Sequence, residues 1–252
     1  MIDHSDQPDD KADTRTIADY IYQELHRDIV SGALIPGTKL RMEKFSRLYG
    51  VGMSPLREAL VKLTGDALVR TEGQRGFWVS PISANEFEDT VGIRALIETE
   101  AVMRSIRLGD RAWEARVREA HAALAESAER LIEGDDDVAL AAWERANRRF
   151  HDALASACAS PWLMRIRQML HRHAERYRAI VLPDRRIDPD THDEHDAIAE
   201  AVLDRKSLRA GHLIRTHVQR TANCVREALQ TREHGGDTAP AARCAKALNR
   251  GF

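Results

Sequence analysis

Apolar residues recur at the spacing of an α-helix along most of this 252-residue chain. In the first such stretch, between residues 14 and 31, the recurring apolar positions are Ile17, Ile21, Leu25 and Ile29. Their four-residue spacing predicts an amphipathic first helix. Gly32 ends this helix, and Pro36 followed by Gly37 predicts a turn before the next element.

Two short helices joined by a glycine-containing turn are predicted next. A helix over residues 42–48 leads into a turn at 49–52. Ser54 is placed to cap a further helix whose first residue is Pro55. The apolar face of that helix comprises Leu56, Leu60 and Leu63. Arg57 lies off that face. Two short helices joined by a turn that contains glycine are typical of the helix-turn-helix.

Two strand-like runs follow, at residues 67–70 and 77–80, with a glycine-rich turn at 73–76 between them. A hairpin in this position makes the unit a winged helix. The net charge of the whole chain is −2, yet residues 38–78 hold eight lysine or arginine residues against four acidic ones. Contact with phosphate requires only local positive charge, so this region is suited to nucleic acid.

The remainder of the chain has the pattern of helices without strands. Six helices are predicted over residues 85–108, 113–132, 139–157, 161–181, 190–203 and 207–231, with a loop at 182–188. Ser83 is placed to cap the first of them, with Glu86 as its partner in a capping box. The short connections favour an antiparallel bundle. The predicted fold class is therefore mainly α, with a winged helix-turn-helix followed by a six-helix bundle.

These patterns divide the chain into four segments. Residues 1–12 are expected to be disordered, 13–81 to form the winged helix-turn-helix domain, 84–232 the helical domain, and 233–252 a flexible tail. Three cysteines without paired spacing suit a reducing cytosol. No apolar run approaches the ~20 residues that span a bilayer, so a cytoplasmic protein without a membrane partner is expected.

Several motifs in the first unit resemble the winged helix of GntR-family transcriptional regulators. They are Gly32–Leu40 (GALIPGTKL), Gly50–Val51, Pro55–Leu60 (PLREAL) and Gly73–Gly76. They occur in the family's order and spacing across residues 17–80, and they imply that PLREAL belongs to a DNA recognition helix. The family's usual Ser-Arg pair before this helix is Gly52-Met53 here, which implies a different operator preference or affinity.

The predicted DNA-binding residues are Arg41, Lys44, Ser54, Pro55, Arg57, Arg75 and Gly76. Arg57 is the expected reader of bases or phosphates, and Ser54 is expected to bind phosphate at the helix N-terminus. Arg41 and Lys44, at the start of the second helix, are candidate phosphate contacts. Arg75 and Gly76 lie at the predicted wing tip and are expected to enter the minor groove. A salt bridge from Arg57 to Glu58 or Asp66 is the structural alternative to DNA contact.

Four residues of the helical domain form a candidate ligand set, namely Asn147, His151, His195 and His217. Asn147 and His151 are four residues apart and share one helix face. In a bundle, side chains from facing helices converge in the interior, and imidazole nitrogens suit zinc, nickel or a similar divalent ion. From spacing alone, surface or capping roles remain the commoner outcome for the 11 histidines of this chain.

Residues 86–228 resemble the FCD ligand-binding domain of the FadR subfamily within the GntR family. The matching positions are 93–98, 147–151, 194–195 and 217. The resemblance implies that the four residues of the ligand set hold a divalent metal, zinc or nickel, and bind an effector. Arg94 matches an arginine that faces the effector, and it would pair with a small carboxylate. The family usually has Asp where this chain has Asn147, which implies weaker metal binding or a ligand carboxylate as an extra donor.

The leading interpretation is a transcriptional repressor that binds a palindromic DNA operator as a homodimer, on the nucleoid, and responds to a small organic acid. It is not expected to be an enzyme. The alternative is a metal-dependent hydrolase on the bundle, suggested by His151-Asp152 and His195-Asp196. Against it, neighbouring helical side chains point about 100° apart. A winged helix that mediates protein contacts is a third interpretation, which the local positive charge disfavours.

Overall fold

The structure, a computed structural model, describes residues 16–73, 75–134, 137–181 and 190–234. These residues form nine α-helices and three short strands, and the chain divides into two compact units between Pro81 and Ile82. The predicted fold class, a winged helix-turn-helix followed by a helical bundle, is confirmed. The N-terminal segment 1–12, the loop at 182–188 and the tail beyond residue 234 lie outside the described residues.

The first unit contains α1 (Ile17–Val30), β1 (Lys39–Leu40), α2 (Met42–Tyr49), α3 (Met53–Gly65), β2 (Val69–Thr71) and β3 (Phe77–Val79). Thr16 caps α1, because its hydroxyl accepts a hydrogen bond from the Asp19 amide at 3.1 Å. The Asp19 carboxylate accepts in return from the Thr16 amide at 3.2 Å. These bonds satisfy amide groups that a helix N-terminus leaves without partners.

The core of the first unit lies between α1, α3 and the sheet. Its fully buried members include Ile21, Leu25, Ile29, Leu56, Leu60 and Leu63. The helical spacing in the sequence therefore predicted the buried faces of α1 and α3, with one exception. Ile17 is 62% exposed, because the first residue of α1 lies beyond the part of the helix that the core covers.

Helix α3 begins earlier than the sequence predicts. Gly52 is its N-cap, with extended backbone angles, and Met53 is its first residue. Ser54 and Pro55 are therefore the second and third helical residues, so the prediction of a Ser54 cap was wrong. Proline is tolerated at this position because the first amide groups of a helix have no acceptor within the helix. Gly50, in the left-handed conformation with φ of 65°, ends α2.

The wing is a three-stranded antiparallel sheet instead of the predicted hairpin alone. Strand β3 is central and pairs with β1 on one side and β2 on the other. Trp78 on β3 is the partner of both Lys39 on β1 and Arg70 on β2. Strand β1 was not predicted, because two residues are too few to show the alternation that identifies a strand.

The six predicted helices of the second unit are present as α4 (Ala84–Leu108), α5 (Arg111–Gly134), α6 (Asp137–Ala155), α7 (Pro161–Val181), α8 (Asp190–Leu203) and α9 (Ser207–His234). The bounds of α7 and α8 match the prediction. Ser83 caps α4 as predicted, since its hydroxyl accepts from the Glu86 amide at 3.5 Å. The second half of the predicted capping box was wrong, because the Ser83 amide donates to the Tyr177 hydroxyl instead.

Helix α4 is the central element of the second unit and packs against α6, α7, α8 and α9. The main apolar core includes Val102, Trp113, Phe150, Leu154, Ile198 and Ile214. Trp113 is fully buried, and its indole Nε1 donates to the Ala153 carbonyl at 2.9 Å, so its polar group is satisfied inside the core.

Within the described residues, no helix is both long enough and apolar enough to cross a membrane.

Candidate metal centre and nucleic-acid interface

Three buried histidines from three helices converge inside the second unit. They are His151 on α6, His195 on α8 and His217 on α9, and one nitrogen of each lies within 4.8 Å of the others. The ring centroids of His195 and His217 are 4.8 Å apart, and those of His151 and His217 are 5.2 Å apart. This spacing suits three imidazoles that surround one small ion.

The electrostatic environment keeps these histidines neutral. Burial lowers the pKa of His151 and of His195 well below the usual histidine range. Burial also lowers the pKa of His217, although the neighbouring Glu194 opposes this shift. Since a metal ion binds the neutral imidazole through its lone pair, the set is ready for metal at neutral pH without first losing protons.

Hydrogen bonding within the described residues leaves nitrogen atoms of this cluster unused. Both ring nitrogens of His151 and the Nε2 atom of His195 are buried without a hydrogen-bond partner. A buried polar atom left without a partner costs about 1–3 kcal/mol. A bound divalent ion would remove this cost at the ligating nitrogens, so the donor set of this chain fits a metal.

A carboxylate behind the cluster orients His217. The Nδ1 atom of His217 lies 2.8 Å from one carboxylate oxygen of Glu194, and the other oxygen accepts a hydrogen bond from Arg220 at 3.0 Å. A hydrogen bond from Nδ1 to a carboxylate leaves Nε2 with its lone pair, and this arrangement is the usual one behind a metal-bound histidine. Glu194 therefore determines which nitrogen of His217 is available.

Asn147 lies one helical turn before His151 on α6, as the sequence predicts. Its side chain is buried, and its Oδ1 atom has no hydrogen-bond partner among the described residues. An amide oxygen has lone pairs that suit a divalent ion, but it carries no net charge. Asn147 is thus placed on the face that carries the histidine cluster, with its oxygen unused.

Arg94 is buried on α4 beside the histidine cluster, where it belongs to a network of charges that the sequence did not predict. Its Nε donates to Glu98 at 3.2 Å, and one of its terminal nitrogens lies 3.3 Å from Nδ1 of His171. Arg167 also donates to Glu98, at 3.0 Å, so one carboxylate joins two arginines. The ring of His171 is 5.7 Å from that of His151, which connects the network to the cluster.

The carboxylates of this network remain ionised despite burial. Burial alone would raise the pKa of Glu98, but the Arg167 guanidinium, with His171 and Arg94, holds it well below the usual range. Burial likewise acts to raise the pKa of Glu175, and its contacts with His171 and Arg148 lower it instead. The buried charges are therefore paired, as a stable interior requires.

The pH dependence of stability follows from these shifts. A carboxylate whose pKa is depressed by folding stabilises the protein above its unfolded pKa, about 4.3, and loses this contribution as the pH falls below it. We therefore expect the stability difference between the wild type and Glu98→Gln to narrow by about 1.4 kcal/mol per pH unit below about pH 4.3. Denaturant unfolding of both proteins between pH 7 and pH 3.5 measures this difference, and a constant difference would contradict it.

The residues predicted to bind DNA lie on the surface of the first unit. Arg41, Lys44, Ser54, Arg57 and Arg75 are exposed, and Pro55 and Gly76 are partly exposed. Among the described residues, Arg57 forms no ion pair, and its two alternative partners are engaged elsewhere. Glu58 pairs with Lys62 at 3.0 Å, and Asp66 accepts from the Tyr22 hydroxyl. The guanidinium of Arg57 is therefore available for an external partner.

The wing tip has a backbone that favours glycine. Gly76 has a φ of 115°, a conformation that residues with a side chain rarely adopt. The Lys39 ammonium lies 4.8 Å from the centroid of the Trp78 ring, in a cation–π contact on the adjacent strands. Arg75, next to Gly76, is exposed at the tip of the wing, and Gln74 lies outside the described residues.

The fold defines a class of protein, in which a winged-helix DNA-binding unit is joined to a helical unit that contains a buried histidine cluster. Residues 17–79 match the model of the gntR family of bacterial regulatory proteins, and residues 89–220 match that of the FCD domain. The chain belongs to the GntR family of transcriptional regulators and carries an FCD domain, as in the FadR-like subfamily.

Relatives and solved structures agree with this assignment. The chain is 37% identical over 217 residues to the HTH-type transcriptional regulator BphR of Paraburkholderia xenovorans (strain LB400), covering 86% of this chain and 88% of BphR. It is 34% identical to the HTH-type transcriptional repressor GlaR of Escherichia coli (strain K12), covering 82% and 95%. A GntR regulator from Rhodococcus sp. RHA1 has the same fold, with a TM-score of 0.66 at 22% identity over 82% of this chain and 96% of the other. These relatives are regulators, which favours regulation over the hydrolase alternative.

Proposed function

We propose that this protein is a transcriptional repressor that binds a palindromic operator as a homodimer and releases it when a small organic acid binds beside a divalent metal. The observation that carries this proposal is the cluster of three buried, neutral histidines with unused nitrogens inside the FCD domain. A protein that only bound DNA would have no need of this costly arrangement. DNA binding requires that the protein share a compartment with the nucleoid, so we propose a cytoplasmic location.

The DNA-binding half of the proposal depends on α3. Arg57 is exposed on this helix and has no ion-pair partner among the described residues. In a helix-turn-helix the second helix enters the major groove, where an arginine can bind guanine through two hydrogen bonds. Two copies related by two-fold symmetry would read two half-sites, which is why we propose a homodimer and a palindromic operator.

Metal and effector occupy one centre in this proposal. Asn147, His151, His195 and His217 would hold zinc or nickel, both of which accept imidazole ligands. When bound, the metal would supply coordination positions for carboxylate oxygens. Arg94, buried beside the cluster and paired with Glu98, would contribute positive charge toward the same acid. A neutral ligand would gain little from such a site, so we propose a carboxylate effector.

Relief of repression by an acid is a case of thermodynamic linkage between acid binding and operator binding. The acid can lower operator affinity only to the extent that it binds more tightly to the arrangement that does not bind DNA. The name of the relative GlaR describes a repressor, and its similarity supports this sign of regulation. A coupling of about 1–3 kcal/mol would change operator affinity by about 5- to 150-fold.

A gel-shift assay tests the function directly. The probe is the intergenic DNA beside the protein's own gene, and a random duplex of the same length is the control. We expect a specific complex at moderate salt, and one of a panel of small mono-, di- and hydroxycarboxylic acids should dissociate it when zinc is present. No preference over the random duplex would contradict the regulator, and no response to any acid would contradict the proposed effector class.

Metal analysis tests the histidine centre. We expect purified protein loaded with zinc to retain about one ion per chain, and His151→Ala to retain less than about a tenth of this, because the variant loses a nitrogen ligand. His212→Ala is the matched control, since His212 is exposed on the same helix as His217. The control should bind zinc as the wild type does. Equal zinc in His151→Ala and the wild type would remove His151 from the ligand set.

Asn147→Asp should have opposite effects with and without metal. A carboxylate adds Coulombic attraction to a dication, so we expect zinc affinity to increase at least about tenfold, measured by competition with a chelator. In EDTA the same variant should melt at a lower temperature, because it buries a charge without a partner. Unchanged zinc affinity would mean that the side chain at position 147 does not ligate the ion.

A further inference from the structure

Helices α4 and α7 pack along a polar and aromatic seam that joins the histidine cluster to the boundary between the two units. Near the cluster, Glu98 of α4 contacts Arg167 of α7. One helical turn closer to the boundary, Arg94 of α4 contacts His171. The order of the contacts shows that the two helices run antiparallel, so successive contacts along α7 approach the start of α4.

At the boundary end, the seam is closed by Tyr177 of α7. Its hydroxyl accepts a hydrogen bond from the Ser83 amide at 3.0 Å and donates one to the Ser83 carbonyl at 3.1 Å. Its ring packs on Phe87, with the centroids 4.7 Å apart, and both side chains are buried. One phenol group therefore holds both backbone polar groups of a single residue.

Ser83 is the second residue of the second unit, directly after the division at Pro81 and Ile82. It is also the N-cap of α4, so its backbone conformation determines how the chain enters that helix. From Ser83 to Arg94 is eleven residues, about 16 Å along the helix axis. The seam thus joins the candidate ligand centre to the first residues after the boundary over a distance that α4 alone spans.

We propose that the α4–α7 seam transmits occupancy of the histidine cluster to the domain boundary, and that the Tyr177 hydroxyl is the latch that acts on Ser83. This inference rests on the proposed function, because it names the route by which ligand binding at the cluster would affect the DNA-binding unit. Metal or effector at the cluster repositions Arg94 or His171, and the displacement of α7 against α4 strengthens or loosens the latch. Tyr177 is a positioning residue, since it lies away from the cluster and touches the ligand centre only through these helices.

Amide hydrogen exchange at Ser83 measures the latch without DNA. The N-cap amide has no acceptor within the helix, and its acceptor in the structure is the Tyr177 hydroxyl. The full chain is examined by NMR in EDTA and with saturating zinc, zinc alone being the probe. We expect zinc to change the exchange rate of the Ser83 amide at least about threefold in the wild type.

Three variants distinguish the latch from a general effect on folding. Tyr177→Phe keeps the ring and removes the hydroxyl, so Ser83 should exchange at least about fivefold faster than in the wild type and should no longer respond to zinc. His151→Ala should exchange at the metal-free wild-type rate under both conditions. Tyr49→Phe, which removes the half-buried hydroxyl that donates to Asp28 in the first unit, should leave Ser83 unchanged.

The outcomes separate this inference from the proposed function. If zinc binds to the wild type but leaves Ser83 exchange unchanged, or if Tyr177→Phe keeps the zinc response, the latch is wrong. Absence of zinc from the wild type would overturn the metal centre and the latch together. If the latch responds as expected but no acid changes operator binding, the proposed effector class is wrong while the seam stands.

Discussion

Arg57→Ala should bind the operator at least about 30-fold more weakly than the wild type while its fold and zinc content remain unchanged. A bidentate contact between arginine and a base contributes about 1–3 kcal/mol of discrimination, and a dimer would lose two such contacts. Because Arg57 is exposed and makes no ion pair with the described residues, its removal leaves no buried group without a partner. Gel-shift titration at one fixed salt concentration, with circular dichroism for the fold, measures both parts of this prediction.

Lys62→Ala is the matched control for this prediction. Lys62 lies on the same helix, but its ammonium pairs with Asp19 at 2.8 Å and with Glu58 at 3.0 Å. Exposed pairs of this kind contribute about 0–1 kcal/mol, so its loss should have little effect on stability. We expect less than about a threefold change in operator affinity for this variant. Equal losses in both variants would mean that general positive charge, and not Arg57 in particular, governs binding.

Glu98→Ala should destabilise the second unit by about 3–5 kcal/mol, which is the usual cost when one partner of a buried ion pair is removed. Glu98 is 1% exposed, and its carboxylate accepts from both Arg94 and Arg167. Its loss leaves two buried guanidinium groups without their shared acceptor. Denaturant unfolding at pH 7, followed by the fluorescence of the buried Trp113 and Trp143, measures the change in the free energy of unfolding.

Glu100→Ala provides the comparison on the same helix. Glu100 pairs with Arg104 at 2.6 Å with the same four-residue spacing, but both side chains are more than 40% exposed. We expect this variant to lose less than about 1 kcal/mol, because solvent screens the pair. If the two substitutions destabilised the protein equally, burial would not be the origin of the Glu98 effect.

Two ion pairs on α4 show why the sequence could not reveal the buried charge network. Arg94 with Glu98, and Glu100 with Arg104, follow the same spacing on α4, which sequence alone interprets as surface ion pairs. Only the packing of α7 against α4 buries the first pair, with Arg167 and His171 as its additional partners. For the same reason Glu175 and Tyr177 gave no signal, since their partners are distant in the sequence.

Local errors in the prediction have local causes. The start of α3 was misplaced because Ser54 and Pro55 suit both a cap and a first turn, and the chain places Gly52 at the cap instead. The two-residue strand β1 has no periodicity of its own and exists only because β3 pairs with it. In contrast, Pro161 defined the start of α7 correctly, because proline suits the first residue of a helix.

By itself, the sequence determined the order and type of nearly all elements, because apolar spacing and end signals act within a few residues of chain. It also determined which side chains were candidates for DNA and metal, through motifs that resemble a known family. The tertiary structure decided which polar residues are buried together. It brings one ring nitrogen each of His151, His195 and His217 within 4.8 Å of the others, and it closes the α4–α7 seam on Ser83. Burial changes the pKa and the energetic cost of a group, and it depends on helices far apart in the chain, so no local pattern encodes it.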